Sequence, residues 1–139
     1  MGSDPIADRL AALRRSLDGR AAGVWRVGRD RLDRIAFDPA PDLPAPVAEG
    51  FEAATRSVDL DRLELGIVRA AGTGETVVSR AAGLPADVGS GFWLRAFGAA
   101  RSVAVPIARD GRVDLVVSIA LGEGPDDAAV SGAIRGAGW

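Results

Sequence analysis

Six amino-acid types are missing from this sequence: its 139 residues include no Lys, His, Cys, Tyr, Asn or Gln. Each absence removes a chemistry. Without His there is no imidazole base and no ordinary haem or zinc ligand. Without Cys there is no thiolate nucleophile, no disulfide and no thioether-linked chromophore. Without Lys there is no Schiff base and no phosphate-loop lysine. All seventeen positive charges are therefore Arg, set against nineteen acids for a formal net charge of −2. The two signs are interspersed and no Arg run exceeds Arg14-Arg15, so no basic face points to nucleic acid. Long apolar runs are missing too, which excludes a membrane span and a secretory leader. Abundant Ala, Gly and Arg without Lys or Asn fits a genome rich in G and C, so the reduced alphabet need not be functional.

What is present describes a soluble domain. Apolar residues make up 47% and charged residues 26%, ordinary values for a globular chain. A chain of this length can bury roughly two-thirds of its unfolded surface in one domain. We read residues 1–139 as one unit in the cytoplasm.

The pattern along the chain is mixed. An N-terminal helix within residues 1–20 has Asp4 as cap, Pro5 in its first turn and Gly19 just beyond its end. Its Ile6, Leu10, Leu13 and Leu17 form one apolar stripe, which could dock on the chain's own sheet or pair with a second copy. Two strands over 22–28 and 31–37 flank a turn at Gly28-Arg29-Asp30, with Ile35 and Phe37 expected on one face and Arg34 on the other. A Pro-rich connection over 39–46 leads to a short helix through Val47, Phe51 and Ala54. A second helix over 62–71 is expected to be capped by Asp61 with Glu64, and to end at Gly72. A strand over 75–80 and a Gly-rich loop over 81–91 follow, and then a short helix capped by Ser90 and carrying Phe92 to Phe97. The strongest local signal is a hairpin: Val103, Val105 and Ile107 alternate, Asp110-Gly111 turns, and Val113 to Leu121 alternate back. A terminal helix over 126–135 closes the order, and Trp139 reads as a loose tail. This order predicts an α+β fold, an antiparallel sheet of five or six strands with helices mainly on one side.

Local motifs carry little chemistry by themselves. Gly72-Thr73-Gly74-Glu75-Thr76 puts an acid where a phosphate loop needs Lys, so it reads as a helix end and turn. Asp59, Asp61 and Glu64 lack the remaining ligands and the Gly of a calcium loop, and no other metal set is visible. Ser79, Ser90, Ser102 and Ser118 have no base to activate them. No cofactor is indicated.

Three stretches carry a family resemblance. Leu65-Gly66-Ile67-Val68-Arg69-Ala70-Ala71-Gly72-Thr73-Gly74-Glu75, Ser102-Val103-Ala104-Val105-Pro106-Ile107 and Val113 to Leu121 after the Asp-Gly turn together resemble the GAF domain, a small sensory module related in shape to PAS domains. The likeness covers nearly the whole chain and is one of fold. It implies a non-catalytic sensory module that binds a small molecule, dimerises, or both; the alternative is a ligand-free adaptor working through its terminal helices. It also implies that the segment Phe92-Trp93-Leu94-Arg95-Ala96-Phe97 lies over the sheet beside a ligand pocket. Trp93, Arg95, Phe97 and Phe92 are thus the leading ligand-binding candidates, with Trp25 and Arg80 on strands that could border the same pocket. The family's best-known chemistries are missing their residues. The Asn-Lys signature of cyclic-nucleotide binders, the Cys or His of bilin carriers, the Cys of methionine sulfoxide reductases and the axial His of haem binders are all absent. A homodimer through Leu10, Leu13 and Leu17 is the partner expected; nucleic acid and membrane are not.

Overall fold

The Asp110-Gly111 hairpin is the spine of the sheet. Both turn residues have positive φ, 54° and 78°, as a tight two-residue turn requires of its central pair. The turn joins β5 (Arg101–Arg109) to β6 (Arg112–Leu121) in a computed structural model that describes residues 4–87 and 89–139. The first three residues of the expected N-terminal helix, and Val88 of the Gly-rich loop, lie outside the described residues. The remaining strands are β1 (Ala21–Val27), β2 (Arg31–Pro39), β3 (Ser57–Asp59) and β4 (Val77–Arg80). All pairings are antiparallel, in the spatial order β3-β2-β1-β6-β5-β4. Five helices are described: α1 (Pro5–Ser16), α2 (Ala45–Ala54), α3 (Gly66–Thr73), α4 (Gly89–Phe97) and α5 (Asp127–Arg135). None is long and apolar enough to cross a membrane.

Strand alternation divides the helices between the two faces. Val24, Val103, Val105, Leu115, Val117, Ile119 and Leu121 form one buried face, against Leu10 and Leu13 of α1 and Val130 and Ile134 of α5. The opposite face carries Ala21, Trp25, Ala104, Val116 and Ala120 under α2, α3 and α4. Three helices on one side and two on the other refine the expected majority on one side. The α1 stripe is not an exposed seam. Leu10 and Leu13 are buried in this chain's own core, and Ile6 and Leu17 pack against the same cluster.

Caps hold the outer helices where the sequence places them. Asp4 accepts from Ile6 N–H and Asp126 from Ala129 N–H, each stabilising its helix by about 1 kcal/mol. Beyond α1 it is Asp18, not Gly19, that takes a positive φ. α3 departs from expectation: it begins at Gly66, not 62. Arg62 N–H and Leu65 N–H bond back to Asp59 and Arg62 carbonyls in successive turns, so Asp61 caps no helix and Glu64 pairs with Arg62. Those turns follow β3, an edge strand too short to leave an alternating pattern.

A bulge overturns the face assignment on β2. Register slips between Val24 and Trp25, so Trp25 faces Arg34 while Val24 faces Ala36. The extra residue, Ile35, packs with the α1 side, whereas Phe37 joins the α2–α4 side and Arg34 bonds Glu52 O there. Trp139 is no loose tail: its Nε1–H donates to Ile134 O at 2.7 Å and its ring packs on the α1–α5 core.

Candidate functional site

The sheet face beneath α2 and α4 is floored by small side chains. Opposite the Val and Ile of the other face, β5 and β6 place Ser102, Ala104 and Ala120 here, and β1 places Ala21 and Gly23. Glycine is required at 23, because a Cβ there would stand 2.5 Å from the Trp25 ring. Small residues on the sheet leave room that helices do not fully close.

The helices bring aromatic rings over that floor. Phe51 of α2 is the hub, with ring centroids 5.1 Å from Phe97, 5.2 Å from Trp93, 5.3 Å from Phe37 and 6.3 Å from Trp25. Its contacts with Trp93, Phe97 and Trp25 are edge-to-face, the favoured arrangement for aromatic pairs. Between these rings, the floor and the start of α3 lies a half-open cavity of about 60 Å³. Its lining comes from Phe51 and Thr55, from Leu65, Gly66 and Ile67, from Ser90, Trp93, Leu94 and Phe97, and from Ser102 and Ala120. No ionisable side chain is among them.

The polar side chains of the lining are three hydroxyls, Thr55, Ser90 and Ser102. Ser90 Oγ accepts from Gly66 N–H at 3.3 Å, so Ser90 ties α4 to the start of α3 instead of capping its own helix. Ser102 is the cross-strand partner of Ser79, whose hydroxyl receives Arg69 Nη2 at 3.4 Å. Thr55 is already engaged, donating to Phe51 O at 2.7 Å. The far end of α4 is held by Arg20 Nε, which donates to Phe97 O at 2.9 Å. Behind the cavity, burial pushes the Arg34 guanidinium down, Glu52 opposes this and Arg56 adds to it.

Of the six sequence candidates, Trp93 and Phe97 line the cavity. Trp25 stands one row behind. It is buried, with Nε1–H on Thr55 O at 2.9 Å and its edge against Phe51. Phe92 lies outside, 45% exposed and touching Trp93 with centroids 4.9 Å apart. Arg95 also points away: one helical step from the inward residues, its guanidinium donates to Gly91 O and Ala81 O. Arg80 is on the wrong face, since strand alternation turns Ser79 toward the helices of the cavity and Arg80 toward Asp127 of α5. The structure thus brings Trp93 and Phe97 together with Trp25 in support, and leaves Phe92, Arg95 and Arg80 elsewhere.

Among solved structures, the GAF domain/HD domain protein of Geobacter sulfurreducens matches with a TM-score of 0.68 over 96% of this chain and 84% of that one, at 18% identity. The fold is the GAF fold. The same GAF fold is matched by the free methionine-R-sulfoxide reductase of Neisseria meningitidis, solved with its substrate (TM-score 0.61, 18% identity, 96% of this chain and 77% of that one). It is matched again by the Staphylococcus aureus protein NreA, mutated in its nitrate-binding site (TM-score 0.62, 13% identity, 87% and 88% covered). No protein-family model matches the sequence, and no curated protein is similar enough to count as a relative. The likeness is therefore one of GAF architecture.

Sequence reasoning missed Phe51, Ser90, Ser102, Gly66 and Ala120 as site residues of this GAF fold. Two signals were available. Ser102 and Ala104 alternate with Val103 and Val105, marking a small-residue face, and Phe51 is the one large ring on its helix.

Proposed function

We propose that this chain is a sensory or signalling module that takes up a small molecule in the cavity beneath α4 and performs no reaction on it. The observation that carries this reading is the cavity itself, walled by rings and lined by the hydroxyls of Thr55, Ser90 and Ser102. Sites of this form, mostly apolar with a few placed polar groups, are the usual small-molecule sites of proteins. Its hydroxyls have no base beside them, and no His or Cys exists in the chain to supply one. The thiol route that the family resemblance attaches to its sulfoxide reductases therefore has no residue to run through.

Size bounds the ligand. At roughly 10–15 Å³ per water-sized atom, the cavity of about 60 Å³ takes about four to six heavy atoms as it stands. Very small ligands gain at most about 1.5 kcal/mol per heavy atom, so at most about 9 kcal/mol here. The dissociation constant is then no tighter than about 0.2 μM. A thermal-unfolding screen of compounds with four to six heavy atoms at millimolar concentration tests the reading. At about 100 times Kd a ligand stabilises by about 2.7 kcal/mol. Stabilisation of the wild type that disappears in Ala120→Leu, which fills the floor, supports the cavity. Equal stabilisation of both proteins overturns it.

A further inference from the structure

The cavity has a chemical polarity that selects a ligand class. This inference rests on the cavity being a ligand site and concerns what that ligand must carry. Much of the lining is apolar: Phe51, Leu94 and Phe97 supply carbon only, and Trp93 adds an indole ring with a single N–H. Phe51 lies 5.1–5.2 Å from the Phe97 and Trp93 rings, which are 6.2 Å from each other, so the three form a packed wall and no open cage that a cation could enter.

The hydroxyls offer donors. Ser90 Oγ uses one lone pair on Gly66 N–H and keeps its own O–H. Ser102 lines the cavity, and among the described residues its hydroxyl makes no hydrogen bond. The first turn of α3 lies here too: Gly66 and Ile67 line the cavity and the helix has no side-chain cap. Arg69 stands behind Ser79, the strand neighbour of Ser102, with no carboxylate paired to it among the described residues. Among the described residues no Asp or Glu lines the cavity to receive a ligand's donors or a positive charge.

We propose that the ligand is a compact molecule with an apolar body against Phe51, Trp93 and Phe97 and a single oxygen-acceptor head, carbonyl or oxyanion, hydrogen-bonded by Ser102 and Ser90. A cationic head is rejected because it would meet hydroxyl donors with no carboxylate of the described lining to pair with it. A wholly apolar molecule would leave the hydroxyls unpaired.

A matched set of four-heavy-atom probes tests this: acetone, acetate, isopropylammonium and isobutane, each titrated into the full chain and followed at the Trp93 indole N–H by NMR. Acetone, acetate or both are expected to shift that signal, with the other two binding at least about tenfold more weakly. Acetone alone assigns a neutral carbonyl head, and acetate alone an oxyanion. Ser102→Ala, which removes only a hydroxyl, is expected to weaken the acceptor probes by about tenfold and to leave isobutane unchanged. Isobutane or isopropylammonium binding as well as acetone overturns the head assignment while leaving the cavity as a site. Shifts from none of the four overturn the cavity reading, and this inference with it.

Discussion

Phe51→Ala is expected to be far more damaging than Phe92→Ala, although both remove a phenyl ring from the same side of the sheet. Phe51 contacts four rings, those of Trp25, Phe37, Trp93 and Phe97. Truncating a core Phe costs about 3–5 kcal/mol in transfer and cavity terms. The lower end applies, because Phe51 is only partly buried and already borders empty space. About 3 kcal/mol is therefore expected. Phe92 is 45% exposed and touches one ring, Trp93, so about 1 kcal/mol is expected for its removal. Urea unfolding at matched m-values measures both. The enlarged cavity of Phe51→Ala should also accept benzene, raising the stability of that variant and not of the wild type. Costs within about 0.5 kcal/mol of each other would refute Phe51 as the hub that shapes the site.

The salt-bridge network at α5 is expected to divide sharply by burial. Arg101, 2% exposed and donating to Gly122 O, Pro125 O and Asp127, should cost about 3 kcal/mol as Arg101→Met, whereas exposed Arg80→Ala should cost under about 1 kcal/mol in the same urea assay. Leu10→Ala should lower stability by about 3 kcal/mol with no change in sedimentation, because Leu10 is fully buried within its own chain. A hydrogen bond from Arg20 holds the Asp42 carboxyl below the usual carboxylate range, so its contribution is present above about pH 4 and lost as pH falls through the lowered value. The gap in thermal midpoint between wild type and Asp42→Asn should accordingly be full at neutral pH and shrink in acid.

Where local chemistry decided the outcome, the sequence was legible. The Asp110-Gly111 turn, the alternation of Val103 to Leu121, the cap Asp4 and the helix beginning at Asp126 each depend on a few neighbouring residues, and each appears as expected. What was hidden depends on partners distant in the chain. The bulge at Ile35 is set by how β2 meets β1, and nothing in Arg31–Pro39 announces it. Ser90 had the composition of a helix cap, yet a backbone N–H twenty-four residues away took its oxygen. Arg95 stands out for its chemistry and Arg80 for its place on a strand near the pocket, yet helix and strand periodicity turn both away from the cavity. The cavity was hardest to foresee, since it arises where small residues meet large ones across two layers.

The most direct test of the account is where a bound small molecule acts. Backbone and indole NMR shifts, recorded with the most stabilising compound from the four-to-six-atom screen, report this. The account expects the largest changes at the Trp93 indole and at Gly66, Ser102 and Ala120, which line the cavity. Changes centred instead on the outer trough of Val27, Leu60, Leu63 and Val68, with the Trp93 indole unmoved, would contradict it.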